Sequence, residues 1–430
     1  MAQDNVKDVE AVRAVAPSPL SPARSVRLAA AGMSLIAVCY GMARFAYGLF
    51  VPAFREAFVL DASATGAIAA GSYVAYCFGI LAATLATPRW GATRVAALAG
   101  VLATLGTVLI ASAPGGGLLA VGVVLAGAST GVASPPLAHA IARRVQPSAR
   151  NRLQTVVNAG TGLGVLVSGP IALLAGDHWR VAWWVFAGAA ASVTLWVTVT
   201  VPSGRRRAAQ GEPARQKPPA RGRRPFLGVV HLLAAAAVAG GSSAAIWTFG
   251  PDLLTTEDRH GQAFATVAWI LLGACGLLGA VTGDAARRYG LRAVWLCSML
   301  ALGAATAVLA AAPQHPVLAL GAHGVFGGVY IALTGVLLLW STQVFEHQPA
   351  RGVGLAFLFL ALGQAGAAPL LGVLADRAGL PAAFWVASGT ALLGALIPAG
   401  PHAPRRSAVV RGSTTGCPSS GSGTTSASSP

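Results

Sequence analysis

One arginine stands inside an otherwise apolar run: Arg44, between Gly41 and Tyr47. A guanidinium about 16 residues into a stretch that opens near residue 28 lies roughly 24 Å along a helix axis. Close to the centre of a membrane helix an Arg costs about 2.5–3.5 kcal/mol on insertion scales, so it normally faces a cavity or a partner. Its chemistry there is recognition of an anionic group or an ion-pair gate. The alternative is a structural Arg bonded to carbonyls or reaching outward to the interface. Tyr40 and Tyr47, at i−4 and i+3, share its helix face. A second polar row, Gln154, Asn158 and Thr161, recurs at i, i+4 and i+7. It faces a cavity or a neighbouring helix, because lipid would leave its polar groups unbonded. Gln364 is placed similarly in a late apolar run. Acids are scarce: of thirteen Asp and Glu, only Asp284 falls within the spans set out below, at one end. Enzyme chemistry needs clustered nucleophile, acid–base or metal groups. No HExxH, GxSxG or paired carboxylate occurs in the apolar runs, and the five cysteines show no metal-ligand spacing. The reading is therefore not an enzyme, with no metal and no cofactor.

The elements that must hold these residues are membrane helices. Of 430 residues, 55% are hydrophobic and 10% charged, against about 25% charged in soluble domains. Mean hydropathy is +0.66. These values exclude a disordered chain and argue against a soluble enzyme. A bilayer core needs about 20 helical residues to cross. Apolar stretches of that order lie near 28–52, 64–86, 92–113, 117–141, 153–175, 181–201, 226–249, 264–285, 293–312, 317–341, 353–374 and 381–399. That predicts an all-α integral membrane protein with twelve transmembrane helices. The runs are too long and continuous for barrel strands.

Net charge is +17. On a soluble chain this would suggest nucleic acid; here position decides. With the N-terminus in the cytoplasm, 25 of the 30 Lys and Arg fall on cytoplasmic segments. Four fall on outer loops, Arg55, Arg180, Arg259 and Arg377, and Arg44 is left within a span. That is the positive-inside pattern, so nucleic acid is not a partner. The expected organisation is a cytoplasmic tail at 1–26, a six-helix bundle at 27–202 and a basic Pro/Arg-rich linker at 203–225. A second six-helix bundle follows at 226–399, then a disordered Ser/Gly-rich cytoplasmic tail at 400–430. The expected location is the plasma membrane. Arg greatly outnumbers Lys and Ala is abundant, which points to a GC-rich bacterial genome.

The two halves repeat at an offset of 199 residues. Gly41, Phe50 and Pro52 pair with Gly240, Phe249 and Pro251. Arg89 and Gly91 pair with Arg288 and Gly290; Gly164, Pro170 and Asp177 pair with Gly363, Pro369 and Asp376. In the fourth and tenth spans Gly127 and Gly131 match Gly324 and Gly328 at offset 197. Parallel six-helix repeats joined by a basic linker resemble the major facilitator superfamily, and the run around Arg44 is similar to that of its YbfB/YjiJ-type branch. The loop after the second span resembles the superfamily's G-x-L-A-D-R-x-G-R-K motif through Arg89, Gly91 and Arg94, with Pro88 at the acidic position. The second copy has Arg287 there, with Arg288, Gly290 and Arg292 following, and Asp284 one turn earlier as a substitute. The fifth span, through Gly169 and Pro170, is similar to a Gly-rich motif of proton-coupled antiporters.

The resemblance implies a monomeric secondary transporter that moves a small organic solute by alternating access, with protons as the candidate coupling ion. Arg44 suggests an anionic solute. The alternatives are a multidrug efflux antiporter and a non-transporting sensor on the same fold. Because the family lines its cavity with helices 1, 4, 7 and 10, the resemblance adds Ser134, Ser242, Ser243, Trp247, His323 and Tyr330 to the candidate site. Its gating residues would be Arg89, Gly91, Gly169, Pro170, Asp284, Arg288 and Gly290.

Overall fold

The computed structural model describes residues 20–201, 223–256, 261–279, 282–346 and 348–400. The tails, most of the basic linker, Arg259 and the side chain of Asp284 lie outside the described residues. The described residues are almost entirely helical: α1 Pro22–Phe58, α2 Ala62–Trp90, α3 Ala92–Ala111, α4 Gly116–Arg144, α5 Pro147–Ala175 and α6 Trp179–Thr200 form one half. The other half holds α7 Arg223–Thr256, α8 Gln262–Leu278, α9 Leu291–Ala311, α10 Pro316–Val344, α11 Pro349–Ala378 and α12 Leu380–Ala395. Ten of these are long and apolar enough to cross a membrane, and the shorter apolar α8 and α12 complete twelve. Side chains such as Phe78, Leu174, Leu195 and Leu393 lie exposed on the outer faces, as lipid contact requires. Helices bond their own backbone, the condition for spanning hydrocarbon.

Three boundaries differ from the sequence expectation. The first helix runs from Pro22 to Phe58, through Pro52, so Arg55 lies on a helix and not in a loop. The seventh continues through Pro251 to Thr256 and carries Asp252 within it. The eighth ends at Leu278 and resumes as a short segment, Thr282–Tyr289. Asp284 is therefore not inside a spanning helix, whereas Asp252 on α7 and Asp376 on α11 are.

The repeat has a physical counterpart in helix packing. Gly131 of α4 lies against the Tyr76 carbonyl of α2, and Gly328 of α10 against that of Cys275 in α8. That reproduces offsets of 199 and 197. A methyl on Gly164 would fall 2.1 Å from the Ala37 carbonyl oxygen, and one on Gly363 1.9 Å from that of Ala237. Small residues permit these backbone approaches. The second pair exposes an irregularity: Ala37 and Ala237 are 200 apart, while Gly41 and Gly240 are 199 apart. Helix α1 holds one extra residue just there, absorbed in a π-helical segment, Ala37–Phe45. Helix α7 remains an α-helix throughout.

The halves meet along α2–α11 and α5–α8. At the end remote from the described chain termini, Arg55 and Asp252 form an ion pair between α1 and α7. The Asp376 carboxylate accepts from the Ala62 and Ser63 backbone N–H groups at 2.9 and 2.8 Å and from the Ser63 hydroxyl. Gln262 Nε2 donates to the Leu49 carbonyl at 3.2 Å. On the opposite side of the membrane, Gly91 and Gly290 take φ of +86° and +84° between consecutive helices. That left-handed turn favours glycine.

Candidate functional site

The π segment aims Arg44 into the seam between the halves. Such segments are rare, arise from one inserted residue and occur frequently at functional sites. Arg44 is 7% exposed. Its guanidinium carbon lies 4.8 Å from the ring centroids of Tyr73 and Tyr76 on α2 and 5.0 Å from that of Phe45. Ring faces attract a cation but do not neutralise it. The one hydrogen bond described for it crosses the interface: Nη2 donates to Gln364 Oε1 on α11 at 2.9 Å. Gln364 is itself oriented, its Nε2 donating to Ser243 Oγ and to the Tyr330 hydroxyl, each at 3.4 Å. Arg44 Nε is buried without a partner. A guanidinium held by an amide and three rings, with no carboxylate among its described contacts, keeps an uncompensated charge.

Aromatic packing closes the centre. Phe45 stacks on Trp247 at 3.9 Å between centroids, and Trp247 meets Tyr330 edge-on at 5.1 Å. Gly48 lies against the Trp247 carbonyl, where a methyl would come within 2.0 Å. Positions 48 and 247 are repeat mates, so α1 and α7 cross at this point. A small cavity of about 10 Å³ remains beside it, lined in part by Arg44, Tyr47, Ser72, Tyr73, Trp247 and Thr248.

Five residues singled out from the sequence converge here: Arg44, Ser243, Trp247, Tyr330 and Gln364. Tyr40 and Ser134 adjoin them, sharing a 2.9 Å hydrogen bond, with Tyr40 edge-on to Tyr76. Four others go elsewhere. The Tyr47 hydroxyl donates to the Thr65 carbonyl at 3.0 Å, although its ring borders the cavity. Asn158 bonds to Gln154 along α5 at 3.3 Å. His323 donates from Nδ1 to the Ala319 carbonyl at 2.9 Å and packs its other nitrogen against Gly250, away from Arg44. Ser242 donates to the Ala239 carbonyl of its own helix. Of the gating candidates, Gly169 packs against Ile270 of α8, Pro170 and Arg89 are exposed, and Arg288 lies over Tyr289 at 5.4 Å.

Sequence reasoning missed Tyr73, Tyr76, Thr248 and Asp252. The tyrosines' i, i+3 spacing on α2 was a usable signal. Asp252 follows Gly250 and Pro251, which read as the end of a helix.

Comparison with known proteins agrees with this architecture. No curated protein matches the chain. Solved structures share the fold at low identity. The D-xylose-proton symporter has a TM-score of 0.69 at 15% identity, covering 87% of this chain and 97% of that one. The nucleoside transporter NupG has a TM-score of 0.67 at 13% identity, covering 86% and 98%. The peptide transporter POT has a TM-score of 0.65 at 16% identity, covering 87% and 91%. A family model described as "Uncharacterised MFS-type transporter YbfB" matches residues 36–399. With twelve helices in two repeats around a buried arginine, the chain belongs to this YbfB-type family of major facilitator transporters.

Proposed function

We propose that the protein is a secondary transporter that carries a small organic anion across the plasma membrane by alternating access, with the Arg44 cage as its solute site. The observation that carries this reading is the buried guanidinium whose one described hydrogen bond is to an amide of the opposite half. A solute anion at that seam would touch both halves, the requirement for coupling its binding to their relative motion. The 25-to-4 charge partition supports cytoplasmic termini. The Arg55–Asp252 end then faces outside, and the conformation is the one closed to that side. Arg89, Gly91, Arg288 and Gly290 sit at the cytoplasmic turns and serve as hinges.

The test is solute exchange in proteoliposomes, with solutes chosen by a thermal-stabilisation screen of organic anions, cations and neutral compounds. A ligand of the native state raises the unfolding midpoint. Anions should stabilise the protein, and Arg44→Ala should abolish both stabilisation and exchange. Stabilisation confined to amphipathic cations, unaffected by Arg44→Ala, would overturn the reading in favour of drug efflux.

A further inference from the structure

Three buried donors without a partner belong to residues that line a small cavity at the crossing of α1 and α7. They are Arg44 Nε, Trp247 Nε1 and Thr248 Oγ1. Buried polar atoms are bonded in the great majority of cases, so three around a common space ask for an acceptor. Ser72 Oγ is a fourth buried donor without a partner at this cavity, but it packs toward Gly127 on α4 and is left out of this set. The space of about 10 Å³ matches one water-sized group. It takes one oxygen of a charged group and not the body of a solute. A water would bond two of the donors and leave the guanidinium charge unbalanced.

We infer that this cavity seats a carboxylate oxygen of a monocarboxylic solute and that the site selects against zwitterions. The assignment rests on Arg44 being the solute site and names the solute class. One guanidinium balances one negative charge; a dianion would leave an excess charge buried. Among the described residues, no acidic one lines the cavity. The acid one turn beyond Thr248, Asp252, is committed to Arg55. An α-ammonium group would therefore lie beside Arg44 with no carboxylate to receive it. The rings of Phe45, Tyr73 and Trp247 present an apolar wall to the solute body.

The experiment uses the purified full chain and two matched probe sets: 3-phenylpropionate, 3-phenylpropionamide and phenylalanine; and propionate, propionamide and alanine. Affinity is read from the thermal midpoint and from tryptophan fluorescence. The carboxylate of at least one set should bind, with its amide and amino acid at least roughly tenfold weaker, the equivalent of about 1.4 kcal/mol. Thr248→Val should weaken the carboxylate by roughly tenfold while leaving the ligand-free midpoint in place, and Thr248→Ser should restore it. Amino acid or amide binding equal to the acid, no binding of either carboxylate, or an indifferent Thr248→Val would overturn the assignment. Arg44-dependent exchange of a phosphate ester or a sugar would overturn the carboxylate and leave the transport reading standing. A carboxylate bound with the expected selectivity but never carried across proteoliposomes would support the seat and sink the transport reading.

Discussion

Helices α1 and α7 are copies of one element, yet they do different work. Both cross at Gly48 and Trp247, and both run through a proline toward the Arg55–Asp252 pair. Where α1 carries Arg44, the repeat mate on α7 is Ser243, a small hydroxyl bonded within its own helix to the Gly240 carbonyl at 2.8 Å. Helix α1 has the π segment and α7 does not. An inserted residue turns all that follows by about 100° relative to all that precedes it, at 3.6 residues per turn. The comparison teaches that a repeat can acquire a site by a register shift as well as by substitution. The second half contributes the receiving groups, Gln364, Tyr330 and Ser243, from positions that kept their regular helical geometry.

The largest expected effect comes from erasing that difference. Deleting Val38 removes the extra residue and gives the stretch from Ala37 to Gly41 the spacing of Ala237 to Gly240 on α7. Either Arg44 leaves the Tyr73–Tyr76 cage or the preceding turns lose their packing on α5. Anion stabilisation should be abolished, together with a fall of many degrees in the thermal midpoint. A deletion variant that binds normally would show that the π segment does not aim Arg44. A smaller effect separates the two mates. Gln364→Leu leaves Arg44 Nη2 without its partner and should cost about 1.5–3 kcal/mol, the range for hydrogen bonds to charged groups. Ser243→Ala removes one long bond to Gln364 and should cost about 0.5–1.5 kcal/mol. Equal losses of midpoint would put the charge and the hydroxyl on the same footing. The smallest effect belongs to Asp177, set against its repeat mate Asp376. Asp376 receives the first N–H groups of α2, whereas Asp177 is exposed and carries no described hydrogen bond; the N-terminus of α8 has no side-chain cap. Asp376→Ala should cost about 0.5–2 kcal/mol and make cysteines placed at that end more reactive to labelling. Asp177→Ala should stay within about 0.5 kcal/mol and leave labelling unchanged.

Much of the fold is legible in the sequence because hydrophobic length is a coarse signal that survives small errors. The repeat was visible through residues that composition does not supply cheaply, such as Pro52 with Pro251 and Asp177 with Asp376. Helix ends were less legible. Gly250 and Pro251 carry the ordinary stop signal, yet α7 continues past them, since prolines are tolerated within membrane helices. That error hid Asp252. The π segment was illegible for a different reason: one extra residue changes the offset by one in a helix that is apolar on every side. Arg44 itself was plain, because a charge in such a run has no cheap explanation. Its surroundings were only half legible. Tyr73 and Tyr76 sit on a helix with apolar residues around its whole circumference, so no polar stripe marked their face.

The N-terminus of α2 is held by two carboxylates from opposite halves. Asp61 accepts from Ala64 N–H at 2.6 Å within its own half, and Asp376 takes the N–H groups of Ala62 and Ser63 from across the seam. When the halves part, Asp376 departs but Asp61 stays. The first turn of α2 keeps a cap and need not fray, so separation can proceed as the motion of intact bodies. Amide hydrogen exchange would then report protection lost at Ala62 and Ser63 alone, with the turn beyond them still closed.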